Sequence, residues 1–224
     1  MVNYKEFEIT QLDNTKVEQI YSELLKNKWQ FVILSNSNKQ FVLTKEKSLF
    51  EILDRQEFIN TASNDKYYKT VITGMNIQGI DADMELYRQY IDKYRRSIQK
   101  KVYGGKYLFG SVAVKTTGGF ITTIRGKEDL NDCTIVHSVD HNNRVVFVTR
   151  NKATLNAALL DYLFTINPLV KAIVHLNAVF DDSLPYLEYA FPGTVRDSQR
   201  DIRTSFNIRQ HGLFYLFDKK GNLI

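Results

Sequence analysis

Cysteine and proline are scarce in these 224 residues: there is one cysteine, Cys133, and there are three prolines. A lone cysteine excludes an intrachain disulfide and fits a reducing compartment. Thiol catalysis at Cys133 would need an adjacent base, and the simpler reading is a small apolar core residue. No apolar run approaches the roughly 18 residues that span a bilayer. A signal-peptide pattern is missing as well, because Lys5, Glu6 and Glu8 interrupt the start at once. These absences lead to the expectation of a cytoplasmic protein with no membrane partner. Internal repeats and low-complexity tracts are also absent. The net charge of +5 is small and diffuse. It suits an anionic small ligand, and it makes a nucleic-acid partner a poor expectation.

Aromatic residues, in contrast, are plentiful. Tyr (13) and Phe (14) sit within a chain that is 43% hydrophobic, enough for an ordered core. Residues 1–80 carry a pattern of their own. Thr15-Lys16-Val17-Glu18 is a capping box opening a helix with Val17, Ile20, Tyr21, Leu24 and Leu25 on one face. Gln30–Leu34 and Gln40–Thr44 read as strands joined by a loop at Ser35–Lys39. Ser48-Leu49-Phe50-Glu51 predicts a second helix to about Ala62, and Tyr68–Thr73 a further strand. The sum is a small α+β module without a chemical motif, read as a docking or regulatory appendage.

Residues 81–224 form the second expected domain. Met84, Tyr87, Ile91, Tyr94 and Ile98 recur at helical spacing, with Asp83 as the expected cap. Lys93, Arg95, Arg96, Lys100 and Lys101 make the opposite side basic. No aromatic stacking positions interleave with them, so the side reads as solvated rather than as a polyanion site. Hairpins follow at Thr117-Gly118-Gly119 and across Asp140-His141-Asn142-Asn143. The second places His137 on a strand face and His141 at a turn tip, where no site role is expected. Ala153–Ile166 predicts another helix, and Pro168 marks the step beyond it.

The chemistry concentrates near the end of the chain. Lys171-Ala172-Ile173-Val174-His175-Leu176-Asn177 is an apolar strand delivering an imidazole to its exposed end. Tyr189-Ala190-Phe191-Pro192-Gly193-Thr194 follows, and then Gln210-His211-Gly212-Leu213 opens another strand. Two imidazoles at strand ends can share one metal.

This order of pieces, from Glu85 to Leu216, resembles the class II aldolase/adducin-head family. The resemblance implies a three-layer α/β/α domain. It also implies a phosphate-binding turn at Gly110-Ser111-Val112-Ala113 and a second turn at Thr123-Ile124-Arg125-Gly126. Thr154 and Leu155 stand where the family has a pair of serines, and Asn156 stands at its catalytic carboxylate. His175, Asn177 and His211 match its three zinc ligands. The implied ligand set is therefore Gly110, Ser111, Thr123, Gly126 and Thr154, with a sugar phosphate as ligand, zinc or another divalent ion as cofactor, and a homo-oligomer as assembly.

The departures from that pattern fall on the chemistry. Asn177 replaces a histidine with a carboxamide, a poor zinc donor. Asn156 cannot accept a proton at neutral pH, which removes the expected base. Asp181, Asp182 and Glu188 are carboxylates that could restore one, and Arg125, Arg196 and Lys152 are cations able to hold an anion. The chain also ends soon after the His211 strand, without the helices that cover many family sites. Two readings stay open. One is a divergent member without zinc-dependent aldol chemistry that acts as a binding or assembly module. The other is a sugar-phosphate lyase, epimerase or dehydratase with a rebuilt metal site.

Overall fold

The computed structural model describes residues 4–8, 14–29, 31–36, 39–44, 68–75, 78–98, 108, 110–177, 179–188, 190, 192–209 and 211–224. The chain divides into two compact units, Met1–Thr61 and Ala62–Ile224. In the first, strands β1 (Tyr4–Glu8), β2 (Phe31–Asn36) and β3 (Lys39–Thr44) form one sheet in the order β1-β2-β3 beside helix α1 (Asn14–Lys26). β1 pairs parallel to β2, and β2–β3 is a hairpin with strands closer together in sequence than the loop at Ser35–Lys39 predicts. The expected helix from Ser48 lies outside the described residues.

The second unit is built on a nine-stranded sheet. Its strands are β4 (Lys69–Ile72), β5 (Ser111–Thr116), β6 (Gly119–Thr123), β7 (Cys133–Asp140), β8 (Val145–Val148), β9 (Ala172–Asn177), β10 (Tyr186–Leu187), β11 (Phe206–Ile208) and β12 (Gly212–Phe217). The order is β10-β11-β12-β9-β5-β6-β7-β8-β4. The strand at Lys69–Ile72, grouped by sequence with the N-terminal module, is thus the edge of the large sheet, parallel to β8.

Helices cover both faces, giving the expected α/β layering. Helix α2 (Asp81–Ile98) buries Tyr87, Tyr90, Ile91 and Ile98. These pack with Val112, Val114, Ile121, Ala172, Val174 and Leu213 in one core. The periodicity reading of α2 holds, but Asp83 does not cap it. The helix begins at Asp81, and the Asp83 carboxylate accepts from Lys171 Nζ at 2.7 Å. On the other face lies helix α3 (Ala157–Ile166), with Phe164 5.5 Å from Phe120 between ring centroids. A four-residue helix, α4 (Val195–Ser198), follows the Pro192-Gly193-Thr194 loop, and the Thr194 side chain caps it by accepting from the Asp197 amide.

Candidate functional site

β9 and β5 set the site's frame. They are antiparallel, with Ser111 directly opposite His175, so their side chains share one sheet face. His175 and Asn177 also share a face, being two apart on β9, and the register pairs Asn177 with Gly212 and His175 with Phe214. His211, one residue before β12, joins them from the adjacent strand.

The two histidine rings meet edge to face, with centroids 4.5 Å apart. Phe214 stacks under His175 at 4.3 Å, and Phe206 stacks in turn on Phe214 at 5.1 Å, forming an apolar floor. His175 is 3% exposed. Burial, the neighbouring His211 and the positive charge of Lys127 all hold its imidazole well below the ordinary range, so it is neutral at physiological pH.

Asn156 comes from the residue just before α3. It makes no helix-capping bond, and its Nδ2 instead lies 3.1 Å from His175 Nδ1. Among the described residues, Asn156 Oδ1, His175 Nε2, Ser111 Oγ and Thr123 Oγ1 are buried without a hydrogen-bond partner. Such groups are costly when unsatisfied, and here several lie at one end of the sheet.

Gly110 is required by geometry. Its φ is +90°, and a Cβ there would come within 2.6 Å of the His175 carbonyl oxygen. The Gly110 carbonyl accepts from Lys127 Nζ at 2.5 Å. Lys127 is 4% exposed and has no ion pair among the described residues, and burial pushes its ammonium down to about 8. Sequence reading passed over Lys127 because a single lysine after a glycine turn carries no pattern.

The second turn is held to the start of the α3 segment. The Thr123 carbonyl accepts from the Thr154 amide at 3.1 Å, and the Arg125 amide donates to the Lys152 carbonyl at 2.9 Å. Gly126 adopts φ +67° in that turn. Here a cleft of about 210 Å³ opens, lined by Tyr68, Thr70, Arg125, Thr154, Leu155 and Gly193 among others. Arg125 has no ion pair among the described residues.

The rescuing carboxylates are spoken for elsewhere. Asp181 accepts from Ser183 Oγ at 2.6 Å and Tyr215 Oη at 3.2 Å, Asp182 from Tyr186 Oη at 2.5 Å, and Glu188 pairs with Arg209 at 3.2 Å. Lys152 and Arg196 are exposed. Among the described residues, no three His, Cys, Asp or Glu side chains form a metal-holding group. Two imidazoles with a carboxamide do not fit zinc, which takes a third nitrogen or an anionic oxygen or sulfur.

No family model matches the sequence, and no curated protein does. Solved structures similar to it include YgbL from Escherichia coli, at 16% identity over 61% of this chain and 80% of that one, with a TM-score of 0.46. L-fuculose-1-phosphate aldolase from Thermus thermophilus is 15% identical over 63% of this chain and 82% of that one, TM-score 0.42. An aldolase II superfamily protein from Pseudomonas syringae is 11% identical over 64% and 68%, TM-score 0.42. The likeness is one of fold. At these values it assigns no role to any residue, and the roles rest on the geometry above.

Proposed function

We propose that this chain is a divergent class II aldolase-like protein that lacks zinc-dependent aldol chemistry and binds a small anionic molecule of the phosphorylated-sugar class. The observation that carries this reading is the amide of Asn156 against His175 Nδ1. A proton-transfer catalyst needs a group that changes protonation near neutral pH, and a carboxamide does not. The uncompensated ammonium of Lys127 beside the Gly110-Ser111 turn supports an anionic ligand. The alternative, a lyase, epimerase or dehydratase with a rebuilt site, rests on the contact of His175 with His211.

The deciding experiment is a retro-aldol assay on ketose 1-phosphates with added zinc, run beside equilibrium binding of the same compounds. Binding without turnover is expected. Robust turnover by the natural sequence would establish the alternative, and absence of both would remove the ligand class. A chain carrying Asn156→Glu with Asn177→His is expected to gain zinc affinity.

We also propose a homo-oligomer. Edge strand β4 presents Val71 and Ile72, 43% and 56% exposed, with Met75 just beyond at 59%. An uncovered apolar edge favours pairing with another chain. Light scattering at micromolar concentration is expected to give a multiple of the monomer mass, and a stable monomer would refute it. No described helix is long and apolar enough to cross a membrane.

A further inference from the structure

A second polar cluster lies apart from the histidine pair. The hairpin turn after β7 is fixed by Asp140, whose carboxylate accepts from the Asn143 amide at 2.9 Å, and Arg144 closes it at φ +57°. This presents His141, whose Nε2 lies 3.1 Å from Asp161 Oδ2 on α3. The other ring nitrogen, Nδ1, lies 2.7 Å from Tyr68 Oη, and Tyr68 Oη is also 3.1 Å from Ser198 Oγ at the end of α4.

The polarity of this chain follows from the carboxylate. Asp161 accepts, so His141 Nε2 carries the proton, and its Nδ1 lone pair accepts the Tyr68 hydroxyl proton. With the Tyr68 proton directed at His141, Ser198 Oγ is the donor to Tyr68 Oη, and the Val195 carbonyl at 2.9 Å is its alternative acceptor. Tyr68 is held in place by its own backbone as well. Its amide donates to the Gly193 carbonyl at 3.1 Å, and the next amide, Lys69, donates to the Arg144 carbonyl at 2.8 Å. The same Tyr68 lines the 210 Å³ cleft with Arg125 and Thr154.

We propose that Tyr68 is an acid–base group of this cleft, with His141 taking and returning its proton and Asp161 holding His141 in place, serving a small anionic ligand drawn by Arg125. The arrangement reproduces the logic of a carboxylate–imidazole–hydroxyl relay with a phenol as the working hydroxyl. Burial raises the phenol above its usual range. Asp161 and Asp140 raise it further, while the Ser198 hydrogen bond and Arg144 act in the other direction. The phenol therefore keeps its proton at neutral pH unless a base receives it, and His141 is the base in contact. The cleft is smaller than a drug-sized pocket, which limits the ligand to a small metabolite.

This role of Tyr68 does not depend on the fate of aldol chemistry at His175. Its test uses a reaction that reads the phenol directly, treatment of the full chain with 4-(fluorosulfonyl)benzoate. The Tyr68 oxygen bonds to sulfur, the S–F bond breaks, fluoride leaves, and the phenol proton passes to His141 and then to solvent. Peptide mapping by mass spectrometry is expected to place the adduct on Tyr68 ahead of the other tyrosines. His141→Gln, which retains a hydrogen-bond partner but takes no proton, is expected to slow labelling about tenfold or more. Asp161→Asn is expected to slow it in the same direction. Arg125→Gln is expected to slow the carboxylated probe while leaving neutral benzenesulfonyl fluoride unaffected. Circular dichroism melts identify any variant that has not folded, and His141→Asn, expected to slow labelling in the same way, then serves in its place. Equal labelling of all exposed tyrosines, or a folded His141→Gln that labels at the natural rate, would overturn the proposal.

Discussion

Asn156 Nδ2 stands 3.1 Å from His175 Nδ1, so the group that orients the buried imidazole is a neutral amide. The amide and the ring tautomer are coupled. An Nδ2 donor leaves the proton on Nε2, and a turned amide, with Oδ1 accepting, leaves Nε2 as a lone pair facing the site. A carboxylate in the same place would change the charge balance. Asn156→Asp is expected to raise the His175 pKa by about 1–3 units, the usual effect of an opposite charge at contact distance. Ring-nitrogen NMR titration reads this directly, and an unmoved His175 would show that the two side chains are not coupled.

Lys127 is expected to lower stability near neutral pH. Its folded pKa is depressed to about 8 from 10.5, so the neutral amine is favoured in the folded state. The stabilising contribution is present above pH 10.5 and is lost as pH falls through 8. Lys127→Met removes the buried charge while keeping the packing. It is expected to raise stability at pH 7 by about 1–3 kcal/mol, net of the hydrogen bond lost at Gly110. The same variant is expected to weaken binding of an anionic ligand. Urea unfolding at pH 7 and pH 10 checks the first point, and a less stable variant at pH 7 would contradict it.

Asp197 gives the opposite dependence. Burial raises its carboxyl to about 6 from 3.8, against the pull of Arg200 at 3.0 Å. A raised folded pKa means a stabilising contribution that is complete below pH 3.8 and lost as pH climbs through 6. Asp197→Asn is expected to flatten the stability profile between pH 4 and pH 6.5 by about 2–3 kcal/mol. Thermal melts across that window measure it, and an unchanged slope would assign the dependence to other groups.

Gly110→Ala is expected to cost about 2–4 kcal/mol, because a positive φ and a clash with backbone act together. The Cβ would press on the His175 carbonyl at 2.6 Å, an atom that cannot rotate away. Loss of ligand binding is expected to accompany the loss of stability. A chemical unfolding midpoint equal to that of the natural sequence would refute the close approach.

Periodicity made much of the large domain readable from sequence. The apolar stripe of α2, the hairpin glycines of β5–β6 and the unbroken apolar run of β9 each report a burial pattern that neighbouring residues impose by themselves. The meeting of His175 and His211 was legible because strand ends deliver side chains to one rim of a sheet, whereas the place of Asn156 came only from the family resemblance. Helix starts were less so. α3 begins at Ala157 rather than Ala153, since Thr154 is tied to Thr123 by its amide and Asn156 turns to the histidine.

What the tertiary structure alone decided is which distant polar groups meet. Tyr68, His141, Asp161 and Ser198 are separated by long stretches of chain, and no local pattern joins them. The pairing of β4 with β8 and the packing of the β7–β8 turn on α3 bring them within hydrogen-bond reach. Lys127 likewise carries no signal in sequence, and its ammonium meets the Gly110 carbonyl only in the folded chain. Amphipathic pattern is written in each segment and acts over a few residues, whereas polar contacts of this kind depend on strand order, which no single segment encodes.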